Sequence, residues 1–153
     1  MKSSKVHNMS LKNIIKHDSP TTQEFIALRA AIGWEEADAA MVQTSLANSL
    51  FHVTIYQHIN SKTPDKLIGM GRVVGDGAMY FYLQDVVVDP SYQGQGIGNN
   101  LMHEIETYLA KTARKGATIG LLAAKGKESF YRRFGYQQRP NDTLGNGMCK
   151  FVM

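Results

Sequence analysis

Three glycines at alternate positions, Gly94, Gly96 and Gly98, form the spacing in this chain that most directly indicates chemistry. They follow residues 81–88, a run of aromatic and β-branched side chains typical of a buried strand, and an apolar stripe of helical period begins at Ile97. The N-terminus of a helix carries unpaired N–H groups and a partial positive charge, so it can bind an anion such as a phosphate. Because glycine has no Cβ atom, ligand oxygens can approach this backbone closely. The pattern predicts a phosphate-binding turn, and the alternative is a helix start that is merely flexible.

Two common phosphate-binding motifs do not match this turn. A P-loop ends in Lys-Ser or Lys-Thr, and neither pair closes the turn here. A dinucleotide-binding turn needs a glycine where this chain has Asn99. Both motifs are therefore excluded.

A carboxylate inside the same β-rich run, that of Asp85, is the second candidate for chemistry. Charged side chains are rarely buried unless they are paired or functional. Asp85 could therefore act in catalysis, or it could form an ion pair with an arginine such as Arg72. The sequence leaves both alternatives open.

Two motifs in this chain resemble those of the GNAT superfamily of acyl-CoA-dependent N-acyltransferases. Residues 93–98, QGQGIG, match the family signature (Gln/Arg)-x-x-Gly-x-(Gly/Ala), and residues 85–90 look like the family's fourth strand. Downstream, residues 130–136, FYRRFGY, resemble the family's FYxxxGF segment. Two motifs in the correct order are more specific than either alone, and the resemblance is sharpest over residues 82–136.

The resemblance implies a binding mode for acetyl-CoA as acyl donor. The backbone N–H groups of residues 93–99 would hold the pyrophosphate of the cofactor. The main chains of Val86 and Val88 would bind the pantetheine arm and the thioester carbonyl, as an added strand would. The implied cofactor-binding residues are Val86, Val88, Gln93, Gly94, Gln95, Gly96, Ile97, Gly98 and Asn99.

Tyr131 occupies the family's general-acid position. Acyl transfer from a thioester passes through a tetrahedral intermediate, and a hydroxyl near the departing sulfur can donate a proton as thiolate charge develops. A phenol with a pKa near 10 keeps its proton at neutral pH. The alternative is an aromatic side chain that only packs its helix against the sheet.

The acceptor side is less defined by the sequence. An amine must be neutral to attack, so a group has to accept its proton, and Asp85 is the leading candidate for this base. Trp34 joins the first two predicted helices, where the family places its acceptor site, and Tyr82 is a further candidate for substrate binding. Many family members have Asn or Asp where this chain has Ala124, so one contact to pantetheine is expected to be missing or supplied by another group.

The surrounding pattern predicts a mixed α+β fold. The resemblance implies a mostly antiparallel sheet of about six to seven strands with about four helices and a V-shaped splay between strands 4 and 5. A capping box formed by Thr21 and Glu24 marks the first helix, which should end at Gly33. The other predicted helices cover residues 35–50, 96–115 and 128–134. The predicted strands cover residues 10–16, 51–57, 67–74, 78–88 and 117–124, the last buried on both faces, and a final hairpin joins 136–139 to 148–153.

Length and composition favour one domain over residues 1–153. The hydrophobic fraction of 43% and charged fraction of 20% are typical of a globular protein, and no apolar run is long enough to span a bilayer. One cysteine, Cys149, excludes an internal disulfide, and the histidines show no ligand spacing, so no metal is predicted. A cytoplasmic location is expected, without a membrane partner.

The formal charge of +4 and a pI near 9.2 have two explanations. Basic residues cluster between residues 111 and 133, where they could attract the polyanion coenzyme A or form a solvated surface. Nucleic acid is not expected as a partner, because no recognition helix, zinc or RNA-binding signature accompanies the charge.

The leading hypothesis is an N-acetyltransferase that transfers an acetyl group from acetyl-CoA to a primary amine in a ternary complex. Cys149 has no His or Asp signal beside it, so a ping-pong route is not expected. The alternative is a non-catalytic acyl-CoA-binding regulatory module that acts through a protein partner. Dimerisation is common in the family, and a homodimer is a further expectation.

Overall fold

The computed structural model describes residues 12–153. Its strands are β1 (Lys12–Lys16), β2 (Phe51–His58), β3 (Lys66–Gly75), β4 (Tyr80–Val88) and β5 (Thr118–Leu121). Its helices are α1 (Thr22–Ala31), α2 (Ala39–Ala47), α3 (Ile97–Thr112) and α4 (Glu128–Arg132), with a short 3₁₀ turn over Pro90–Tyr92.

The strands form one sheet in the order β1-β2-β3-β4-β5. The first four strands pair antiparallel with their neighbours, whereas β5 pairs parallel with β4. The connection from β4 to β5 contains α3, as a parallel pair requires. The predicted mixed α+β class is therefore confirmed.

Local signals explain the limits of the first two helices. The predicted capping box is present, because Thr21 Oγ1 accepts a hydrogen bond from the Glu24 N–H while a Glu24 carboxylate oxygen accepts from the Thr21 N–H. Gly33 follows α1 with φ +82°, as expected for a left-handed stop. The second helix is shorter than the predicted 35–50, because the Asp38 carboxylate caps it at Met41 N–H.

The sheet separates two apolar layers. On one face, α3 packs Ile97, Leu101, Met102, Ile105 and Leu109 against side chains of β2, β3 and β4. On the other face, α1 and α2 contribute Phe25, Leu28, Val42 and Leu46 to a second cluster. The candidate site lies at the N-terminus of α3.

Two glycines of β3 allow α3 to approach the sheet closely. A Cβ atom at Gly69 would lie 2.9 Å from Ile97 Cγ2, and one at Gly71 would lie 3.0 Å from Ile105 Cδ1. Both distances are shorter than nearly all real Cβ contacts, so a side chain at either glycine would require the Ile97 or Ile105 side chain to shift. Gly69 and Gly71 therefore help to set the position of the α3 N-terminus.

The prediction of about six to seven strands was wrong for the part of the chain described, which has five. Residues 136–139 and 148–153 form no hairpin, and the first predicted strand begins two residues outside the described range. The predicted strand 117–124 is only Thr118–Leu121, and none of these residues is fully buried, because β5 is an edge strand of the described sheet. Apolar composition indicated strands at these positions but could not show whether a neighbouring strand was available.

Candidate active site

The pairing of β4 with β5 stops halfway along β4. It extends from Tyr80 and Thr118 to Leu83 and Leu121, and residues 84–88 continue without a partner on that side. The Asp89 N–H donates to Ile68 O at 2.8 Å, toward β3. Since successive residues of a strand direct their N–H and C=O groups to opposite sides, the main chains of Val86 and Val88 face the gap.

A β-bulge at Asp85 sets which residues line this gap. Asp85 has φ +55°, and the register with β3 shifts between Met70 and Arg72. The extra residue reverses the alternation of side chains, so that Phe81 and Leu83 before the bulge and Val86 and Val88 after it all belong to the α3 layer. Val87 packs instead with α1 and α2. The sequence pattern did not indicate this bulge.

The carboxylate of Asp85 is buried in an ion-pair network. One oxygen accepts from Arg29 Nη1 at 2.6 Å and the other from Arg72 Nε at 3.0 Å. Arg72 also donates to Ser45 O and to Ser49 Oγ. Asp85 does not line the cleft described below. This geometry favours the ion-pair alternative over the role of a general base.

The glycine turn has the geometry expected of an anion site. Gly94 and Gly96 have φ +77° and +80°, which glycine adopts most readily, and a Cβ atom at either position would contact nothing within 4 Å. Gly96 is the N-cap residue of α3 and supplies no side-chain hydrogen bond. The first N–H groups of the helix are therefore not capped by a side chain. At Gly98 a Cβ atom would lie 3.4 Å from Phe130 Cζ, an ordinary contact distance, so Phe130 of α4 packs beside the first turn of α3.

A cleft of about 580 Å³ lies between these elements. Its lining combines the end of β4, the glycine turn, the start of α3, the segment after β5, and α4. The lining residues are Ile32, Trp34, Val86, Val87, Val88, Tyr92, Gln93, Gly94, Gly96, Ile97, Gly98, Asn99, Ala124, Lys127, Phe130, Tyr131 and Arg133. Of the residues predicted from the sequence to form the site, the structure brings all but Gln95, Asp85 and Tyr82 to this cleft.

Tyr131 is half-buried in the wall that α4 contributes. Its ring contacts those of Phe130 and Tyr136 edge to face, with centroid distances of 5.0 Å and 6.3 Å. Its hydroxyl makes no hydrogen bond within residues 12–153, and burial raises the pKa of this phenol above its ordinary value. The Tyr131 hydroxyl therefore keeps its proton, and it donates a hydrogen bond to no acceptor among the described residues.

Two cations beside the glycine turn were not assigned to the site from the sequence. Lys127 and Arg133 line the cleft, and Arg133 Nη2 donates to Asn99 Oδ1 at 2.8 Å. The Arg133 guanidinium also lies 5.3 Å from the Phe130 ring centroid. The only available signal was their membership of the basic cluster between residues 111 and 133.

The acceptor candidates lie on the α1 side of the cleft. Trp34 lines it, and the Arg29 guanidinium lies 4.8 Å from the Trp34 ring centroid. Arg29 was missed by sequence reasoning, although its place in the last turn of α1, five residues before Trp34, was visible. Tyr82 is partly buried outside the lining, and burial raises the pKa of its phenol.

The open strand edge, the uncapped glycine turn and the adjacent tyrosine are the features of an acyltransferase fold, and comparison with known proteins agrees. The family model of the GNAT acetyltransferase domain matches residues 17–153. The chain therefore belongs to the GNAT acetyltransferase family.

Some of the relatives are described by a specific activity, and others are described as uncharacterised. An uncharacterised ycf52-like N-acetyltransferase of Prochlorococcus marinus is 34% identical over 76% of this chain and 63% of its own length. The histone acetyltransferase TAP1 of Glycine max is 31% identical over 78% of this chain and 53% of its own length. The chain thus spans about half to two thirds of the length of the curated relatives that it matches.

Solved structures share the fold. A protein of methicillin-resistant Staphylococcus aureus, described as a probable acetyltransferase, is 32% identical with a TM-score of 0.80, covering 92% of this chain and all of its own. A GNAT acetyltransferase of Brucella melitensis in complex with acetyl-CoA is 20% identical with a TM-score of 0.59, covering 88% of this chain and 94% of its own. That second likeness concerns the fold alone.

Two features of residues 12–153 concern other classes of site. No described helix is long and apolar enough to cross a membrane. Nor does this part of the chain bring together three or more His, Cys, Asp or Glu side chains that could hold a metal ion.

Proposed function

We propose that this chain transfers an acetyl group from acetyl-CoA to a primary amine by direct attack in a ternary complex. The observation that carries the proposal is the cleft itself, which joins an open strand edge, an uncapped helix N-terminus and a free phenol. The strand edge would bind the pantetheine arm of acetyl-CoA, the helix N-terminus would bind its pyrophosphate, and the phenol would lie near the thioester sulfur. The acceptor amine, the cytoplasmic location and a single domain over residues 1–153 remain predictions.

The binding mode follows from the polar groups that face the cleft. The pyrophosphate of acetyl-CoA would accept hydrogen bonds from N–H groups of residues 93–99, where the macrodipole of α3 favours negative charge. Lys127 and Arg133 would add positive charge near the same phosphates. The pantetheine amides would pair with the main chains of Val86 and Val88 as a short added strand. Val88 O at present accepts a hydrogen bond from Gln93 Nε2, which the ligand would replace.

In this direct attack the protein forms no covalent bond to the acetyl group. The amine nitrogen attacks the thioester carbonyl carbon, and the tetrahedral intermediate collapses by breaking the C–S bond to give an amide. Tyr131 donates its phenolic proton to the departing sulfur and recovers a proton from solvent, while the proton lost by the amine also passes to solvent. Asp85 acts as a positioning residue, because its ion pairs hold the bulge that turns Val86 and Val88 toward the gap.

The test is release of the free CoA thiol from acetyl-CoA across a panel of primary amines. Tyr131→Phe should lower kcat about 100-fold while leaving acetyl-CoA affinity nearly unchanged, since only proton donation is lost. Tyr80→Phe is the matched control, because Tyr80 is exposed and lies outside the cleft. Equal loss in both variants would contradict the role of Tyr131.

A second pair of variants tests the turn. Gly96→Glu should abolish acetyl-CoA binding, because a carboxylate would replace the phosphate at the start of α3. Gly116→Glu carries the same backbone strain, with φ +98° and open space around it, but lies outside the cleft. Binding lost in both would indicate unfolding rather than a site.

The assay also separates the enzyme from the regulatory module. If acetyl-CoA binds tightly and every amine gives only background release, the module replaces the enzyme as the explanation. The free Tyr131 hydroxyl in the cleft favours the enzyme, because a module that only binds acyl-CoA has no need of a proton donor.

A further inference from the structure

The last turn of α1 supplies a side chain, that of Arg29, that lies between two parts of the candidate site. Arg29 Nη1 donates to Asp85 Oδ1 at 2.6 Å, and the Arg29 guanidinium lies 4.8 Å from the Trp34 ring centroid. Asp85 is the bulged residue before Val86 and Val88, whereas Trp34 lines the cleft on the α1 side. One guanidinium therefore connects the strand edge proposed for acetyl-CoA with the wall proposed for the acceptor.

The backbone of Arg29 holds the same wall. Its carbonyl oxygen accepts hydrogen bonds from the N–H groups of Ile32 at 3.3 Å and of Trp34 at 3.1 Å. Both of these residues line the cleft, and the chain between them turns at Gly33 with φ +82°. The main chain and the side chain of Arg29 thus both contact the segment that forms this side of the cleft.

The guanidinium of Arg29 contacts aromatic rings as well as a carboxylate. It lies 5.5 Å from the Phe25 ring centroid, in addition to its contact with Trp34. Its Nε is buried and makes no hydrogen bond within residues 12–153. A planar guanidinium can stack on aromatic faces while one of its edges pairs with a carboxylate, and the compact ammonium of a lysine cannot reproduce both contacts. The position therefore needs the shape of arginine and not only its charge.

We infer that Arg29 is a positioning residue for the acceptor, which holds the Trp34 wall in place relative to the Asp85 bulge. The inference rests on the proposed function, because only acetyl transfer gives this wall an acceptor to bind. Loss of the planar group should therefore weaken acceptor binding more than it slows the chemical step. Acetyl-CoA binding should change little, since Arg72 still pairs with Asp85.

The first test uses Trp34 as its own probe, because it is the only tryptophan of the chain. Arg29→Lys should shift the tryptophan emission to longer wavelength and increase its quenching by acrylamide, since the ring loses its contact with the guanidinium. Arg72→Lys is the matched control, because Arg72 also pairs with Asp85 but its guanidinium lies over Phe25. This control should leave the emission and the quenching near those of the wild-type chain. Circular dichroism checks that both variants are folded.

The second test measures kcat and KM with the best amine acceptor of the wild-type chain. Arg29→Lys should raise the KM for the acceptor about tenfold, with smaller changes in kcat and in the KM for acetyl-CoA. Trp34→Leu removes the ring itself and should also raise the KM for the acceptor. In the Trp34→Leu background, Arg29→Lys should add little, because the contact through which it acts is already lost.

Three outcomes would overturn the inference. The emission and quenching of Arg29→Lys could equal those of the wild-type chain, or Arg72→Lys could change them as much, and either result would show that the Arg29 guanidinium does not hold the ring. The effects of Arg29→Lys and Trp34→Leu on the acceptor KM could be additive, which would mean that Arg29 acts elsewhere. The emission measurements need no turnover, so a failure to acetylate any amine would contradict the proposed function while the positioning of Trp34 is still tested.

Discussion

At the scale of single residues, Asp85 combines two costs that the surrounding side chains offset. Its φ of +55° is uncommon for a residue other than glycine, although Asp and Asn tolerate it better than most. Its carboxylate is buried, and burial of a charge is unfavourable unless the charge is paired. The guanidinium groups of Arg29 and Arg72 supply that pairing from α1 and β3. One residue thus joins three elements at the point where β4 bends.

Asp85→Asn should lower the free energy of unfolding by about 3–5 kcal/mol, because it leaves the buried guanidinium of Arg72 and the partly buried one of Arg29 without their counter-charge. Asparagine keeps the shape and tolerates the positive φ, so the variant isolates the charge. Urea denaturation measures the change. Asp142→Asn is the control, since Asp142 is exposed and should change stability little. A loss in Asp85→Asn no larger than in the control would show that the network contributes nothing.

The pH dependence of catalysis should follow from the protonation of Tyr131. Burial raises the pKa of this phenol above its ordinary value near 10, so the acid form persists through the whole neutral and mildly alkaline range. We expect kcat/KM for the acceptor to rise with pH as the amine loses its proton, with no decline below about pH 10. A descending limb below that pH that disappears in Tyr131→Phe would contradict this assignment.

At the scale of elements, the contact between β3 and α3 positions the helix N-terminus that we propose as the anion site. The helix begins at Ile97, and the Ile97 side chain lies against the space that a Cβ atom at Gly69 would occupy. The first N–H groups of α3 are therefore held at a fixed distance from the end of β4, which pairs with Gly69 through Val88. Packing on one face of the sheet thereby helps to position the start of α3 beside the end of β4.

Gly69→Ala should destabilise the fold by about 1–3 kcal/mol and weaken acetyl-CoA binding as well, because the added methyl group displaces the start of α3. Gly120→Ala in β5 is the control, since a Cβ atom there contacts nothing within 4 Å. Thermal unfolding and titration with acetyl-CoA measure the two effects. If Gly69→Ala loses stability but binds acetyl-CoA normally, the helix does not set the site through this contact.

The sequence predicted best those elements whose signals are local. The end of β4, the glycine turn, α3 and the tyrosine of α4 were all placed correctly, because glycine positions, helical period and motif order lie within about 50 neighbouring residues. The Asp85 network was not resolved, since Arg29 lies 56 residues away in sequence and only the fold brings it near. The final hairpin predicted from residues 136–139 and 148–153 is absent, since local composition cannot show whether a neighbouring strand is available.

At the scale of the whole molecule, the basic residues are distributed unevenly with respect to the cleft. Of the cluster between residues 111 and 133, Lys127 and Arg133 line the cleft, whereas Lys115 does not. Coenzyme A is a polyanion, so charges at the cleft should act on its binding more strongly than charges elsewhere on the same surface.

Lys127→Gln should raise the KM for acetyl-CoA about threefold, a change expected of one exposed charge pair, and should reduce the dependence of KM on salt. Lys115→Gln is the control and should alter neither quantity. Steady-state kinetics at low and high ionic strength measure both. Equal effects of the two substitutions would show that the charge acts only through the general field of the surface.

The parting of β4 from β5 has a consequence for solubility. An uncovered strand edge normally invites the edge of another molecule and so leads to aggregation. Here the uncovered half of β4 lies inside a cleft walled by α4 and the glycine turn, where a slender extended ligand can enter but a whole sheet cannot. The molecule can therefore keep unpaired backbone groups available to a ligand while it shields them from other sheets.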